Sequence, residues 1–325
     1  GLPTLAQWCA GHDGTFVSVE CAPDAPAALL YSSGTTGFPK GVTLTQSNIA
    51  SNIAQSAKCS GYRSEDRLAT FLPLFHVYGQ NYIMNAAVLA GATLVLFRRF
   101  VPDQVLEAIQ RDRITMFFGV PTIFIALLAM DLSRWDLSSI RYEMSAAATM
   151  PEEISRRWTE RFGRRVYEGY GLTECSPFAC YNDLVEHRFG SVGRAVEGFE
   201  LAIFDEADRA LPKGEWGEIV IRGPGVMQGY WNRPADTAQA LRGGWLHSGD
   251  IGRMDGDGYV FVRGTGKDAV IVAMNRGTTT RTVKVTIPAE LGLTDGQSWK
   301  DLLGGLPVKV NGGQIEVVFG PKSAA

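Results

Sequence analysis

The chain has 325 residues, 45% of them hydrophobic, and a formal net charge of −3 with no run of one sign. That length accommodates one large domain or two to three smaller ones with a sizeable core. The balanced charge argues against a nucleic-acid partner. The five cysteines, Cys9, Cys21, Cys59, Cys175 and Cys180, are scattered and form no CxxC pair. They fit free, mostly buried thiols in a reducing, cytoplasmic compartment. No signal-peptide pattern opens the chain. The longest apolar runs, near residues 83–97 and 116–130, are broken by Gly or Pro and are expected to be helix-to-strand passages of a buried core, with no transmembrane segment.

In chain order, residues 27–32 (AALLYS) predict a strand that enters a Gly/Thr-rich loop. A helix is expected over 47–58, capped by Ser47 or Asn48. Next come a strand at 67–72, a helix at 82–89, a break at Gly91 and a strand at 93–97. A helix at 103–111, a strand at 114–118 and a helix at 121–130 opened by Pro121 follow. Then come a strand at 140–145, a helix at 151–162 and a strand at 165–168. Such alternation predicts an α/β fold, a largely parallel sheet flanked by helices. From about Ser191 short strands at 201–204, 218–222 and 259–263 signal a β-rich subdomain. From about Ala269, strands at 270–275, 280–287 and 314–319 signal a small all-β tail.

The strongest local signal is Ser32-Ser33-Gly34-Thr35-Thr36-Gly37-Phe38-Pro39-Lys40-Gly41. Glycines let successive backbone N–H groups turn inward as an anion nest, the hydroxyls add donors, and Lys40 adds a positive charge. These are the parts needed to hold the polyphosphate of ATP. The pattern is not the P-loop GxxxxGK[ST], because Pro39 precedes the lysine and Gly41 stands in the Ser/Thr position.

This string resembles the signature of the adenylate-forming superfamily, which includes acyl-CoA synthetases, luciferases and peptide-synthetase adenylation domains. Four further segments carry the same resemblance. Phe75-His76-Val77-Tyr78-Gly79 is similar to the element that places a histidine beside the acyl pocket. Ser145-Ala146-Ala147-Ala148 is similar to the small-residue segment that lets adenine approach the backbone. In Tyr167-Glu168-Gly169-Tyr170-Gly171-Leu172-Thr173-Glu174 the resemblance implies that Tyr170 and Gly171 meet adenine, Thr173 the α-phosphate, and Glu174 Mg²⁺. Trp245-Leu246-His247-Ser248-Gly249-Asp250 is similar to the element whose aspartate accepts both ribose hydroxyls. The segments Gly217–Gly223 and Gly229–Tyr230 also fit and are expected to be structural.

The resemblance implies ATP, Mg²⁺ and CoA as partners. A carboxylic acid is expected to be activated to an acyl-adenylate and then a thioester, with Lys40, His76, Thr173 and Glu174 as the catalytic set. A medium- or long-chain fatty acid is favoured by the apolar segments. The implied domains are a remnant of an upstream segment (1–22), an AMP-binding core (23–190), a β-rich subdomain ending at a hinge-like motif (191–268) and a β-sandwich-like tail (269–325). The pattern breaks at the hinge, where Thr265 replaces the expected arginine before Lys267 and Asp268. No lysine of the tail is assigned the family's adenylation role. The tail itself is similar to the C-terminal β-domain of α-amylase-family glycoside hydrolases, which implies a fused reading frame. Three readings stay open: a ligase, a nucleotide-binding remnant without turnover, and a carbohydrate-associated module.

Overall fold

The computed structural model describes residues 7, 10–11, 14–15, 17–32, 39–265, 274–275, 279–286, 298–300, 307–311, 314–319 and 323–324. Contacts divide the chain into two units, Gly1–Gly264 and Thr265–Ala325.

The first unit opens with β1 (Pro26–Ser32) and β2 (Lys40–Thr45), an antiparallel pair in which Ser32 faces Lys40. Residues 33–38, the centre of the Gly/Thr-rich loop, lie outside the described residues. Helix α1 (Gln46–Cys59) is capped by Thr45, two residues before Ser47 and three before Asn48, the caps the sequence suggests. Thr45 Oγ1 accepts the Asn48 N–H at 3.2 Å, and Asn48 Oδ1 accepts the Thr45 N–H at 3.0 Å, a reciprocal capping box. Asn48 is therefore the third helical residue and Ser47 an interior one. The buried stripe of α1 is polar, formed by Asn48, Asn52 and Ser56. A polar stripe at this spacing has to find partners across the helix, and it does so in the loops of the site.

β3 (Arg67–Thr70) leads into a single helical stretch, α2, π-helical over Tyr78–Asn85 and α-helical over Ala86–Ala90. The helix starts four residues before the sequence pattern places it, because Tyr78 and Asn81 face the core rather than solvent. Gly91 ends it in the left-handed conformation (φ 71°). β4 (Thr93–Leu96), α3 (Pro102–Asp112), β5 (Met116–Gly119), α4 (Pro121–Leu128), β6 (Tyr142–Ser145), α5 (Glu152–Phe162) and β7 (Val166–Tyr170) complete the α/β part. The apolar run at 83–97 is indeed helix then strand. The run at 116–130 is the reverse, strand then helix, because Pro121 opens α4 only after β5 has ended.

With β8 (Cys180–Tyr181) and β9 (Arg194–Ala195), the main sheet has the order β4-β3-β5-β6-β7-β8-β9. Strands β3 to β7 run parallel and β8 and β9 antiparallel. Period-two alternation sends Leu68, Met116, Phe118, Tyr142 and Met144 to one core and Ala69, Phe117 and Val166 to the other. After β3 the chain goes to one side (β4) and then to the other (β5), so the order reverses there. In open α/β sheets ligands bind outside the carboxyl ends of strands near such a reversal.

Two small antiparallel sheets flank this one. One is built from β10 (Glu200–Phe204), β11 (Gly217–Arg222), β13 (Leu246–Met254) and β14 (Val260–Thr265). The other joins β12 (Gly229–Tyr230) to β2 and β1, with α6 (Pro234–Ala240) beside it. In the second unit, β15 (Met274–Asn275) pairs with β20 (Ser323–Ala324). β16 (Arg281–Thr286), β19 (Gln314–Phe319), β18 (Pro307–Asn311) and β17 (Ser298–Lys300) form a four-stranded sheet in that order. Lys267 and Asp268 of the hinge-like motif lie outside the described residues.

Candidate nucleotide site

A solvent-open cleft of about 730 Å³ lies at the carboxyl ends of β3, β6 and β7. Its walls combine His76, Tyr82, Ala146, Ala147, Tyr170 and Thr173, with Gly171 and Glu174 also in the lining. Three segments far apart in sequence thus meet in one place.

The local backbone makes this approach possible. Gly171 sits so close to the neighbouring loop that a Cβ there would fall 1.5 Å from the Pro177 carbonyl oxygen. Only glycine fits. Ala147 holds a left-handed conformation (φ 67°), costly for a residue with a Cβ, at the cleft wall. The turn Thr173–Cys175 is tied down from several sides. Asn52 Nδ2 donates to the Cys175 carbonyl at 3.1 Å and to the Phe178 carbonyl at 2.8 Å. Asn81 Nδ2 donates to the Ser176 carbonyl at 3.2 Å, and Met227 N–H to the Glu174 carbonyl at 2.8 Å.

Side chains from the two small sheets reach this turn. Glu174 Oε1 accepts the Ser32 hydroxyl at 3.2 Å and the Tyr230 hydroxyl at 2.9 Å. Burial and the Glu174 charge push the Tyr230 phenol well above its ordinary pKa, so it stays a donor. The Tyr170 hydroxyl donates to Asp250 Oδ2 at 2.8 Å. Burial raises the Asp250 carboxyl above the usual range; the Tyr170 hydrogen bond opposes this, while Glu174 and Glu218 add to it. Tyr170 is itself raised far above 10 by burial and by Asp250.

His76 stands at the rim, its Nδ1 accepting the Tyr78 N–H at 3.1 Å. A neutral ring there carries its proton on Nε2. Desolvation against the cleft wall lowers its pKa, an effect blunted by the ring's exposure. Lys40, the expected positive charge of the phosphate loop, has protein partners. Its ammonium is paired with Asp236 Oδ1 at 2.8 Å and lies 5.0 Å from the Tyr230 ring centroid. Of the other expected phosphate-loop residues, Ser32 joins the cleft network, and Ser33, Gly34, Thr35, Thr36 and Gly37 lie outside the described residues.

Sequence reasoning did not single out Asn52, Glu218, Tyr230 or Asp236. Gly229–Tyr230 and Gly217–Gly223 were expected to be structural, yet Tyr230 and Glu218 bond directly to candidate site segments. Tyr230 next to Gly229 was the one visible hint, an aromatic with a polar tip inside a matching segment.

Residues 4–231 match the family model described as "AMP-binding enzyme". The chain belongs to the AMP-binding enzyme family. It is 39% identical over 254 residues to a long-chain-fatty-acid–CoA ligase of Bacillus subtilis, covering 75% of this chain and 45% of that protein. It is 38% identical over 260 residues to a feruloyl-CoA synthase of Amycolatopsis sp, covering 77% and 52%. Among solved structures, the anthranilate CoA ligase AuaEII in complex with anthranoyl-AMP superposes with a TM-score of 0.78 at 31% identity, over 83% of this chain and 53% of that one. This AMP-binding enzyme chain spans about half the length of the relatives it matches. Its α/β sheet with antiparallel subdomains is the architecture of those adenylate-forming enzymes. Among the described residues, no helix is long and apolar enough to cross a membrane.

Proposed function

We propose that this chain carries the nucleotide site of an ATP-dependent acid–thiol ligase. A carboxylate oxygen attacks the α-phosphorus of ATP; the bond to the β-phosphate oxygen breaks, giving acyl-AMP and pyrophosphate. The thiol of CoA then attacks the acyl carbon and displaces AMP, giving the thioester and releasing the thiol proton. The observation that carries this reading is the single cleft where Tyr170, tied to Asp250, meets Thr173, Glu174, Ala146 and Ala147.

In this reading the Tyr170 ring covers adenine, while Ala146, Ala147 and Gly171 let the base approach the backbone. Asp250 accepts the ribose hydroxyls, and Thr173 donates to the α-phosphate. Ser32, the loop residues Ser33, Gly34, Thr35, Thr36 and Gly37, and Lys40 take the polyphosphate, with Lys40 exchanging Asp236 for phosphate. His76 borders the acyl group. No side-chain nucleophile is required, so catalysis rests on positioning and charge neutralisation.

The Glu174 carboxylate with the adjacent Ser32 hydroxyl is a hard-oxygen donor set. It suits Mg²⁺, which is held by one or two carboxylates plus phosphates and retained waters. When bound, Mg²⁺ supplies neutralisation of the polyphosphate charge.

A medium- or long-chain fatty acid is the proposed substrate, supported by the apolar wall of Val77, Tyr82, Met144 and Phe178 and by the likeness to a fatty-acid ligase. ATP–pyrophosphate exchange with a panel of fatty, cinnamic-type and amino acids tests it. Exchange driven best by a non-fatty acid removes the substrate assignment; ATP binding without exchange for any acid favours the second reading, a nucleotide-binding chain without turnover. For the tail we retain the proposal of a separate, carbohydrate-associated origin, supported by its four-stranded antiparallel sheet and tested by maltodextrin binding.

A further inference from the structure

Asp250 does not sit on a regular strand. Where β11 pairs with β13, Glu218 faces Ile251 and Val220 faces His247. One residue of β11 lies between those pairs, against three of β13, so residues 248–250 bulge out of the ladder. Bulges re-aim side chains and gather beside active sites. Gly249, at φ 76°, makes the turn.

The bulge is fastened by one carboxylate. Glu218 Oε1 accepts the Gly249 N–H at 2.9 Å, while Oε2 accepts His247 Nδ1 at 2.8 Å, so its two oxygens grip successive parts of the excursion. Ser248 adds a second tie, donating to the Ile219 carbonyl at 2.6 Å and accepting the Asp250 N–H at 3.0 Å. Behind Glu218, Arg242 reaches Oε2 at 3.5 Å and holds both Asp208 oxygens at 2.8 Å. The His247 side chain is 4% exposed, so its end of the grip is dry. Asp208, Glu218 and His247 bring their ligand atoms within 4.8 Å of one another, as a metal site would. The Arg242 guanidinium already supplies the positive charge there, which makes the cluster a clamp.

We propose that Glu218 is a positioning residue for the nucleotide: by clamping the bulge at residues 248–250 it sets where the Asp250 carboxylate stands beside Tyr170. Asp250 leaves the clamp in the direction of the cleft, where it meets the Tyr170 hydroxyl. The inference rests on the reading that Asp250 receives the ribose hydroxyls. Glu218 touches no substrate in it. Its contribution is to remove the freedom of a glycine-containing turn, so that the acceptor pair is in place before the nucleotide arrives.

The test is calorimetric binding of Mg·ATP, 2′-deoxy-ATP and 3′-deoxy-ATP to the full chain. The unaltered chain is expected to prefer ATP over both deoxy analogues, and Asp250→Ala to lose that preference. Glu218→Ala should weaken ATP about tenfold, in line with supporting-shell residues elsewhere, while hardly changing the deoxy analogues. The double variant should bind no more weakly than Asp250→Ala alone, because both changes remove one interaction. Glu218→Gln, which keeps an acceptor for the Gly249 N–H, should restore most of the preference. A structural defect alone would weaken all three nucleotides together. Should Glu218→Ala fail to fold, Glu218→Asp shortens the reach and is expected to show the same selective loss. An intact ATP preference in Glu218→Ala or Glu218→Asp, with the preference lost in Asp250→Ala, overturns the clamp and leaves the ribose assignment standing. An intact preference in Asp250→Ala overturns the ribose assignment, and the clamp's role with it.

Discussion

Glu168→Gln should change the stability of this AMP-binding chain in a pH-dependent way. Glu168 lies on β7 and is 2% exposed. The Met150 backbone N–H hydrogen-bonds its carboxyl, but Oε1 has no partner. Its register neighbour on β6, Ser145, is equally buried, and the Ser145 Oγ also lacks a partner. Burial pushes the Glu168 carboxyl from 4.5 up to about 8; Glu152 adds to the rise and the Met150 bond opposes it. Between those values the folded chain holds a proton that the unfolded chain has released. The stabilisation is therefore complete below about pH 4.5 and is lost as pH climbs through 8. At about 1.4 kcal/mol per pH unit, the three units from pH 5 to 8 amount to about 4 kcal/mol. Glutamine carries no titrating proton and can keep the Met150 bond. Urea unfolding of both proteins, followed by tryptophan fluorescence at steps between pH 5 and 8, should show their difference growing by that amount in favour of the variant. Parallel profiles, with the same slope for both, would refute the claim that a neutral, buried carboxyl underlies this strand end.

Other outcomes follow from the contacts around the cleft. Asn52→Ala leaves the Cys175 and Phe178 carbonyls without their donor. It should cost about 2–4 kcal/mol in urea unfolding, the penalty of buried acceptors left bare. Tyr230→Phe removes one of the two hydroxyls that Glu174 accepts. Calorimetric affinity for ATP should fall about three- to tenfold when Mg²⁺ is present and change little without it. Lys40→Ala and Glu174→Ala should each weaken Mg·ATP binding and pyrophosphate exchange; wild-type values for both variants would count heavily against the nucleotide reading.

Much of the fold was legible because strand and helix periods differ. Runs such as 93–97 and 140–145 matched strands β4 and β6 to within a residue or two, since each is bounded by a break. Helix starts were harder. Thr45 caps α1 from inside a strand pattern, and the buried face of that helix is polar, so hydropathy gave no stripe to follow. β13 was hidden altogether: its Ser248-Gly249-Asp250 bulge reads as a turn, and only pairing with β11 makes the nine-residue strand. At the site, the motif residues Ala146, Tyr170, Thr173 and Glu174 could be found because each lies in a short ordered string. Their partners could not. Tyr230 acts on a residue 56 positions away, Glu218 on one 31 away and Asn52 on carbonyls more than 120 away. A long-range hydrogen bond leaves no local pattern.

Such long-range bonds explain why the cleft needs three sheets. β7 ends in a turn that carries Thr173 and Glu174, and Cys175 anchors that turn in the core. One small sheet supplies Ser32 and Tyr230 to Glu174, and the other supplies Asp250 to Tyr170. Each contact is a polar bond at the junction of two elements, where a misplacement of 1 Å breaks the geometry. Packing in the hydrophobic cores fixes the sheets, and these bonds transfer that order to the turn. A substitution that loosens the docking of either small sheet should therefore weaken nucleotide binding before it unfolds the main sheet. The two small sheets act on different atoms of the site, so losses from each side should add when the sites are far enough apart to be independent.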